Sequence, residues 1–187
     1  SLSTVAPVGC APFFDDLVGI KDEFYGGGRF QLQFSIHTTD RAARRRLIPV
    51  RCWSLAEMAR YGERFFRPGD RKVTLNFAAC RDHPIEPDRI ADHFDPERFL
   101  IKITPLNPTA RVDSSSLKSW IDTQVSDSGS ILVSGFQDLG YEVILSVGEL
   151  EENAIGSNCG QFVSEIVGGR RQVRPGYESP RYASTFR

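Results

Sequence analysis

The side chains best suited to chemistry are Cys159, the triplet Ser35-Ile36-His37, Asn107 and Ser3. Cys159 lies in Gly156-Ser157-Asn158-Cys159-Gly160, where small neighbours leave a thiol accessible. A helix is predicted over 159–167, and a helix N-terminus lowers a thiol's pKa and favours the nucleophilic thiolate. The alternative role for a lone cysteine is that of a small buried core residue. Ser35 and His37 close a strand-like stretch, where a hydroxyl and an imidazole either bind a ligand or cap the helix that follows. Asn107 stands between Pro105 and Pro108, so its backbone is restrained and its amide well aimed, unless it is a turn residue.

Positioning these groups falls to alternating strands and helices. Arg29 to His37 alternates with period two: Phe30, Leu32, Phe34 and Ile36 share one face, and Gln31, Gln33, Ser35 and His37 the other. A strand with so polar a second face must line a wet or ligand-filled space. Further strands are predicted at 2–6, 72–78, 99–104 and 141–147. Helices are predicted at 38–48, starting at Thr39 or Asp40, and at 54–66, opening on the capping box Ser54-x-x-Glu57. Others are expected near 86–94, 114–125, 129–139 and 159–167. Strand, helix, strand, helix implies parallel β/α units with right-handed crossovers, an α/β fold whose units are too few to close an eight-stranded barrel. Gly26-Gly27-Gly28 lacks the Lys-Ser/Thr of a phosphate loop and reads as a turn. The segment 169–187, rich in Gly, Pro, Arg and Ser, is expected to be irregular.

Composition narrows the class. The 187 residues are 40% hydrophobic and 25% charged, which suits one globular domain. No apolar run approaches the roughly 18 residues of a membrane span, and the scattered cysteines point to a reducing compartment, so a cytoplasmic protein is expected. Cys10, Cys52, Cys80 and Cys159 form no C-x-x-C pair, which argues against a zinc ribbon or disulfide scaffold; the first three read as packing residues. A net charge of −1 is no nucleic-acid signature, although residues 169–187 carry five Arg against Glu178 alone. Arg41, Arg44 and Arg45 share a helical face that is either solvated or in contact with phosphates.

Five fragments, Ser3-Thr4-Val5, Ser35-Ile36-His37, Arg46-Leu47-Ile48-Pro49, Pro105-Leu106-Asn107-Pro108 and Asn158-Cys159-Gly160-Gln161, fall in an order and approximate spacing that resembles the radical S-adenosylmethionine (SAM) enzymes of the RlmN/Cfr type, the ribosomal-RNA adenine methyltransferases. The resemblance covers residues 1 to about 167 and implies the C-terminal half of a TIM-type barrel, inactive alone. It implies that SAM is contacted by Ser3, Ser35, Ile36, His37 and Asn107. It also implies that Cys159 carries a methyl group from one SAM, from which a radical generated on a second SAM abstracts hydrogen before the carbon adds to an adenine ring. The [4Fe-4S] cluster ligands, a second cysteine and an RNA-binding domain would lie upstream, and no metal ligand is assigned within the chain. The roughly 30 residues between Ser3 and Ser35 exceed the family's spacing and read as an insertion around Tyr25 to Gly28.

Three functions follow as expectations. The first is part of an RNA (adenine carbon) methyltransferase. The second is a radical SAM enzyme of the same architecture with a non-RNA substrate, and the third a half-barrel that only binds. A half-barrel also has open sheet edges, so self-association through residues 1–6 or the 29–37 strand is expected.

Overall fold

A computed structural model describes residues 1–79, 83–105 and 127–146, all within one compact unit, Ser1–Val147. Its strands are β1 (Leu2–Thr4), β2 (Leu32–Ser35), β3 (Val73–Ala79), β4 (Phe99–Pro105) and β5 (Val143–Leu145). They form one five-stranded sheet in the order β1-β2-β3-β4-β5, every pair parallel. Between them lie α1 (Ala11–Phe24), α2 (Arg41–Leu47), α3 (Leu55–Phe65), α4 (Pro87–Ala91) and α5 (Asp127–Asp138). The expected α/β architecture is therefore present, as an open parallel sheet.

Local chemistry explains where the helices begin. Asp40 caps α2, its Oδ1 accepting from the amide of Ala43 at 2.5 Å. The capping box of α3 is complete: Glu57 accepts from the Ser54 amide at 2.7 Å, and Ser54 Oγ accepts from the Glu57 amide at 3.3 Å. α4 opens on Pro87, whose missing N–H costs nothing in a first turn. Gly27 and Gly28 adopt φ of 70° and 78°, so the last two glycines of the triplet turn the chain through left-handed backbone.

The span between Ser3 and Ser35 corrects the sequence reading. It holds a complete β/α unit, whose crossover helix α1 was not among the predicted helices. A parallel pair requires a crossover of a dozen or more residues. The buried stripe of α1 is Phe14, Leu17 and Lys21, with a lysine at a core position. Phe13, Ile20 and Phe24 are exposed along the edge of that stripe, and with Leu17 they keep the helical apolar spacing 13, 17, 20, 24.

Sequential order with same-handed crossovers puts the helices on one face of the sheet. That face carries Leu32, Phe34, Val73, Leu75, Phe77, Phe99, Ile101 and Ile103, all buried. Phe34 meets Tyr61 of α3 edge-on at 6.3 Å between centroids, and Phe77 meets Phe136 of α5 at 6.0 Å. α3 lies close on the sheet at Gly62, where a Cβ would fall 2.4 Å from Cζ of Phe99. Gly62→Ala is therefore expected to destabilise the fold by about 1–3 kcal/mol through overpacking, despite alanine's better helix propensity. Adding Phe99→Leu should recover part of the loss. Additive chemical denaturation energies across the double-mutant cycle would show that the two residues do not clash.

Candidate functional site

The opposite face of the sheet is polar. Register places Ser3, Gln33, Thr74 and Leu100 in one row across β1 to β4, and Ser35, Asn76, Lys102 and Ile144 in the next row across β2 to β5. Ala78 and Thr104 pair beyond them, toward the carboxyl ends. Each of these positions follows from period-two alternation, because the intervening residues are committed to the core.

Hydrogen bonds organise this face. Gln33 Nε2 donates to Ser3 Oγ at 3.1 Å, and the Ser3 and Ser35 hydroxyls lie 3.5 Å apart. Thr104 Oγ1 donates to Asn76 Oδ1 at 3.2 Å, while Gln31 Nε2 donates to Thr74 Oγ1 at 3.0 Å. Among the described residues, the Lys102 ammonium has no ion-pair or hydrogen-bond partner on this face. An unpaired cation amid hydroxyls and amides suits a ligand that carries a carboxylate and several hydrogen-bonding groups.

β2 ends at Ser35, and the chain then turns sharply. Ile36 and His37 both donate their amides to the Asn76 carbonyl, at 2.9 and 3.3 Å. His37 adopts φ of 66°, a left-handed conformation rare outside glycine, so the alternation of β2 does not extend to it. Strain of this kind persists only where the surroundings over-determine it. Here Thr38 Oγ1 and Thr39 Oγ1 both donate to the Pro84 carbonyl, at 2.7 and 3.1 Å, clamping the turn to the segment after β3. The His37 imidazole is largely buried, and its Nδ1 has no partner among the described residues. Burial, with the neighbouring Arg44 and His83 adding to it, pushes its pKa down to about 4, so it is neutral at physiological pH.

The residues expected to bind a cofactor thus separate. Ser3 and Ser35 come together on the open face of adjacent strands, and His37 lies just past the end of β2. The Ile36 side chain is wholly buried in the core, leaving only its backbone to face a ligand. Asn107 and Cys159 lie outside the described residues. The fragment Arg46 to Pro49 sits on the last turn of α2 and just beyond it, not at a strand end. Of the other cysteines, Cys10 packs against the core and Cys52 is half-buried with its thiol on the Val50 carbonyl; Cys80 lies outside the described residues. The sequence reading missed Asn76 and Lys102, although the alternation in Val73-Thr-Leu-Asn-Phe and Phe99-Leu-Ile-Lys-Ile carried the signal.

No protein-family model and no curated protein matches the sequence. A solved radical SAM methyltransferase from Sphaerobacter thermophilus superimposes with a TM-score of 0.55 over 81% of the chain. The chain is similar in fold to a radical SAM methyltransferase. Sequence identity to that protein is 16%, and the chain spans 41% of its length. The radical SAM-like fold accounts for a sheet that is parallel, sequentially ordered and open, with its polar face turned away from the helices. Among the described residues no helix is long and apolar enough to cross a membrane.

Proposed function

We propose that the polar face and the strand ends form the SAM-binding sector of a radical SAM methyltransferase acting on RNA. Ser3, Ser35, His37 and the backbone of Ile36 hold SAM in this reading, with Asn107 from beyond β4, and Cys159 carries the transferred methyl group. The observation that carries the proposal is the juxtaposition of Ser3 and Ser35 on adjacent parallel strands, within a fold like that of a radical SAM methyltransferase.

The residues present fit the cofactor. SAM offers an amine, a carboxylate, ribose hydroxyls and an adenine ring. The face supplies two neighbouring hydroxyls, an amide at Asn76 and, unpaired among the described residues, the Lys102 ammonium; the adjoining turn supplies a buried imidazole Nδ1 likewise without a partner among them. Bound SAM would supply a methyl group or, next to a reducing iron–sulfur cluster, a hydrogen-abstracting radical. This chain's own groups bind and orient: the hydroxyls accept or donate as the ligand requires, and neutral His37 can accept at Nδ1 or donate from it according to its tautomer. Among the described residues no three metal-ligating side chains converge, so no ligand of the cluster is assigned here.

Equilibrium dialysis against labelled SAM tests the binding half. Ser35→Ala is expected to weaken binding about tenfold, the equivalent of a well-placed hydrogen bond in a low-dielectric site. Ser3→Ala should do the same, while Arg29→Gln on the far loop should have no effect. Equal affinity for Ser35→Ala and wild type would remove Ser35 from the site. In the complete enzyme, Cys159→Ala should abolish carbon methylation of an RNA substrate, and undiminished product would end the methyl-carrier assignment. A non-RNA substrate is the second reading, favoured by the net charge of −1.

A further inference from the structure

A second feature adjoins the turn after β2, whose Thr38 and Thr39 line it, and uses none of the strand-face side chains. α2, the connection 48–54 and the first turn of α3 enclose a cleft of 1090 Å³, completed by Arg89, Asp92 and His93. Five arginines line it (Arg41, Arg44, Arg45, Arg51 and Arg89) against two carboxylates, Glu57 and Asp92. Helical spacing brings Arg41, Arg44 and Arg45 onto one side of α2.

The pairing of these charges is uneven. Arg44 is fixed in the wall by Nη1 donating to the Trp53 carbonyl at 2.8 Å and Nη2 donating to the Val5 carbonyl at 3.4 Å. Its Nε is buried and has no partner among the described residues. Arg89 pairs with Glu86 at 2.9 Å. Glu57 is engaged by Ser54, whose amide and hydroxyl both donate to it at 2.7 Å. Among the described residues, the guanidinium groups of Arg41, Arg45 and Arg51 have no partner, and Asp92 is the one lining carboxylate left free to offset them.

Unpaired guanidinium groups converging on one concavity repel each other and focus a positive potential there. Their forked donors match the oxygens of phosphate esters better than those of a monatomic anion. The volume exceeds the roughly 300–1,000 Å³ of ordinary small-molecule pockets, so it has room for more than one phosphate. Ile48, Pro49 and Trp53 give the organic part of such a ligand an apolar wall.

We propose that this cleft is a binding site for phosphate esters, with Arg41, Arg45 and Arg51 as the ligating cations and Arg44 as the fixed charge in its wall. The site uses neither Ser3, Ser35 nor Lys102 and stands whether or not the chain binds SAM.

Trp53 reports on the cleft directly, and Trp120 is the other tryptophan of the chain, so the measurement is made in a Trp120→Phe background. Fluorescence is titrated with inorganic phosphate, adenosine monophosphate and an oligoadenylate of about eight nucleotides. Saturable binding that weakens as salt is raised is expected. Arg45→Glu combined with Arg51→Glu should reduce affinity at least about tenfold. Arg29→Glu combined with Arg98→Glu makes the same change in net charge outside the cleft and should alter affinity less than about twofold. Far-ultraviolet circular dichroism confirms folding, and the milder Arg45→Gln, Arg51→Gln pair should give a smaller loss in the same direction. Tighter binding of the oligonucleotide than of the mononucleotide identifies a phosphodiester strand as the ligand; equal binding identifies a small phosphorylated molecule. No saturable response to any probe, or an equal loss in the control pair, overturns the proposal.

Discussion

Asp70→Ala is expected to destabilise the protein by about 3–5 kcal/mol, the penalty for leaving one member of a buried ion pair without its partner. Lys21 is 1% exposed, its ammonium 2.5 Å from Asp70 Oδ2 and 2.6 Å from Asp22 Oδ1. The Asp70 carboxylate is itself 6% exposed and also accepts from the Arg67 amide at 3.0 Å. Burial alone would raise the Asp70 pKa, but the Lys21 hydrogen bond and the backbone donors outweigh it and hold the carboxyl below its usual range. The half-exposed Asp22 compensates Lys21 only in part, because water screens it. Lys21→Met with Asp70→Asn should cost much less than the two single changes added together, since it removes both charges and keeps an acceptor for Arg67. The pair lies at the amino ends of the strands, away from the polar face, so SAM affinity of the folded variant should not change. Denaturant midpoints at neutral pH provide the measurement, and a loss under about 1 kcal/mol for Asp70→Ala would show that Asp22 suffices.

The second large effect is a loss of stability in mild acid that originates at His37. Its pKa falls from an ordinary 6.5 to about 4 in the folded chain. Above pH 6.5 the imidazole is neutral in both the folded and the unfolded state, and its contribution is fully present. Between pH 6.5 and about 4 the unfolded chain takes up a proton that the folded chain refuses, so stability falls as pH falls. The total is on the order of 3 kcal/mol. His37→Asn, chosen because asparagine tolerates left-handed backbone, should lack this component. Thermal unfolding of both proteins from pH 7.5 to 4.5 should therefore converge or cross as acid is added, while carboxylates common to both cancel. Parallel curves across that range would mean that His37 protonates as freely in the folded state as in the unfolded one. The neutral imidazole also implies that any ligand bond at Nδ1 keeps its strength from pH 5 to 8.

Several elements were legible because their signals are local. The Asp40 cap and the Ser54–Glu57 box mark the starts of α2 and α3 wherever the rest of the chain lies. Alternation from Arg29 to Ser35 divides core from polar face, since side chains of successive strand residues must point to opposite sides. Ser3, Ser35 and His37 were also visible in the sequence as candidate groups. The burial of Lys21 in α1 was not visible, because it depends on Asp70, 49 residues further along the chain, as well as on the adjacent Asp22. Nor did the sequence show that His37 leaves the strand plane, which depends on Thr38 and Thr39 reaching the Pro84 carbonyl.

The sequence by itself determined the alternating β/α order, the helix caps and the segregation of polar from apolar strand faces, all of which depend on neighbours within a few residues. Tertiary structure decided the rest. It set the sequential parallel order of the strands, brought the hydroxyls of Ser3 and Ser35 to 3.5 Å, and placed Lys102 in the row with Asn76. It also gathered the arginines of α2 with Arg51 and Arg89 around one cleft. Each of these depends on which strands become neighbours and where each connection folds back, and those distances are set by packing against a shared core rather than by any residue's own preference.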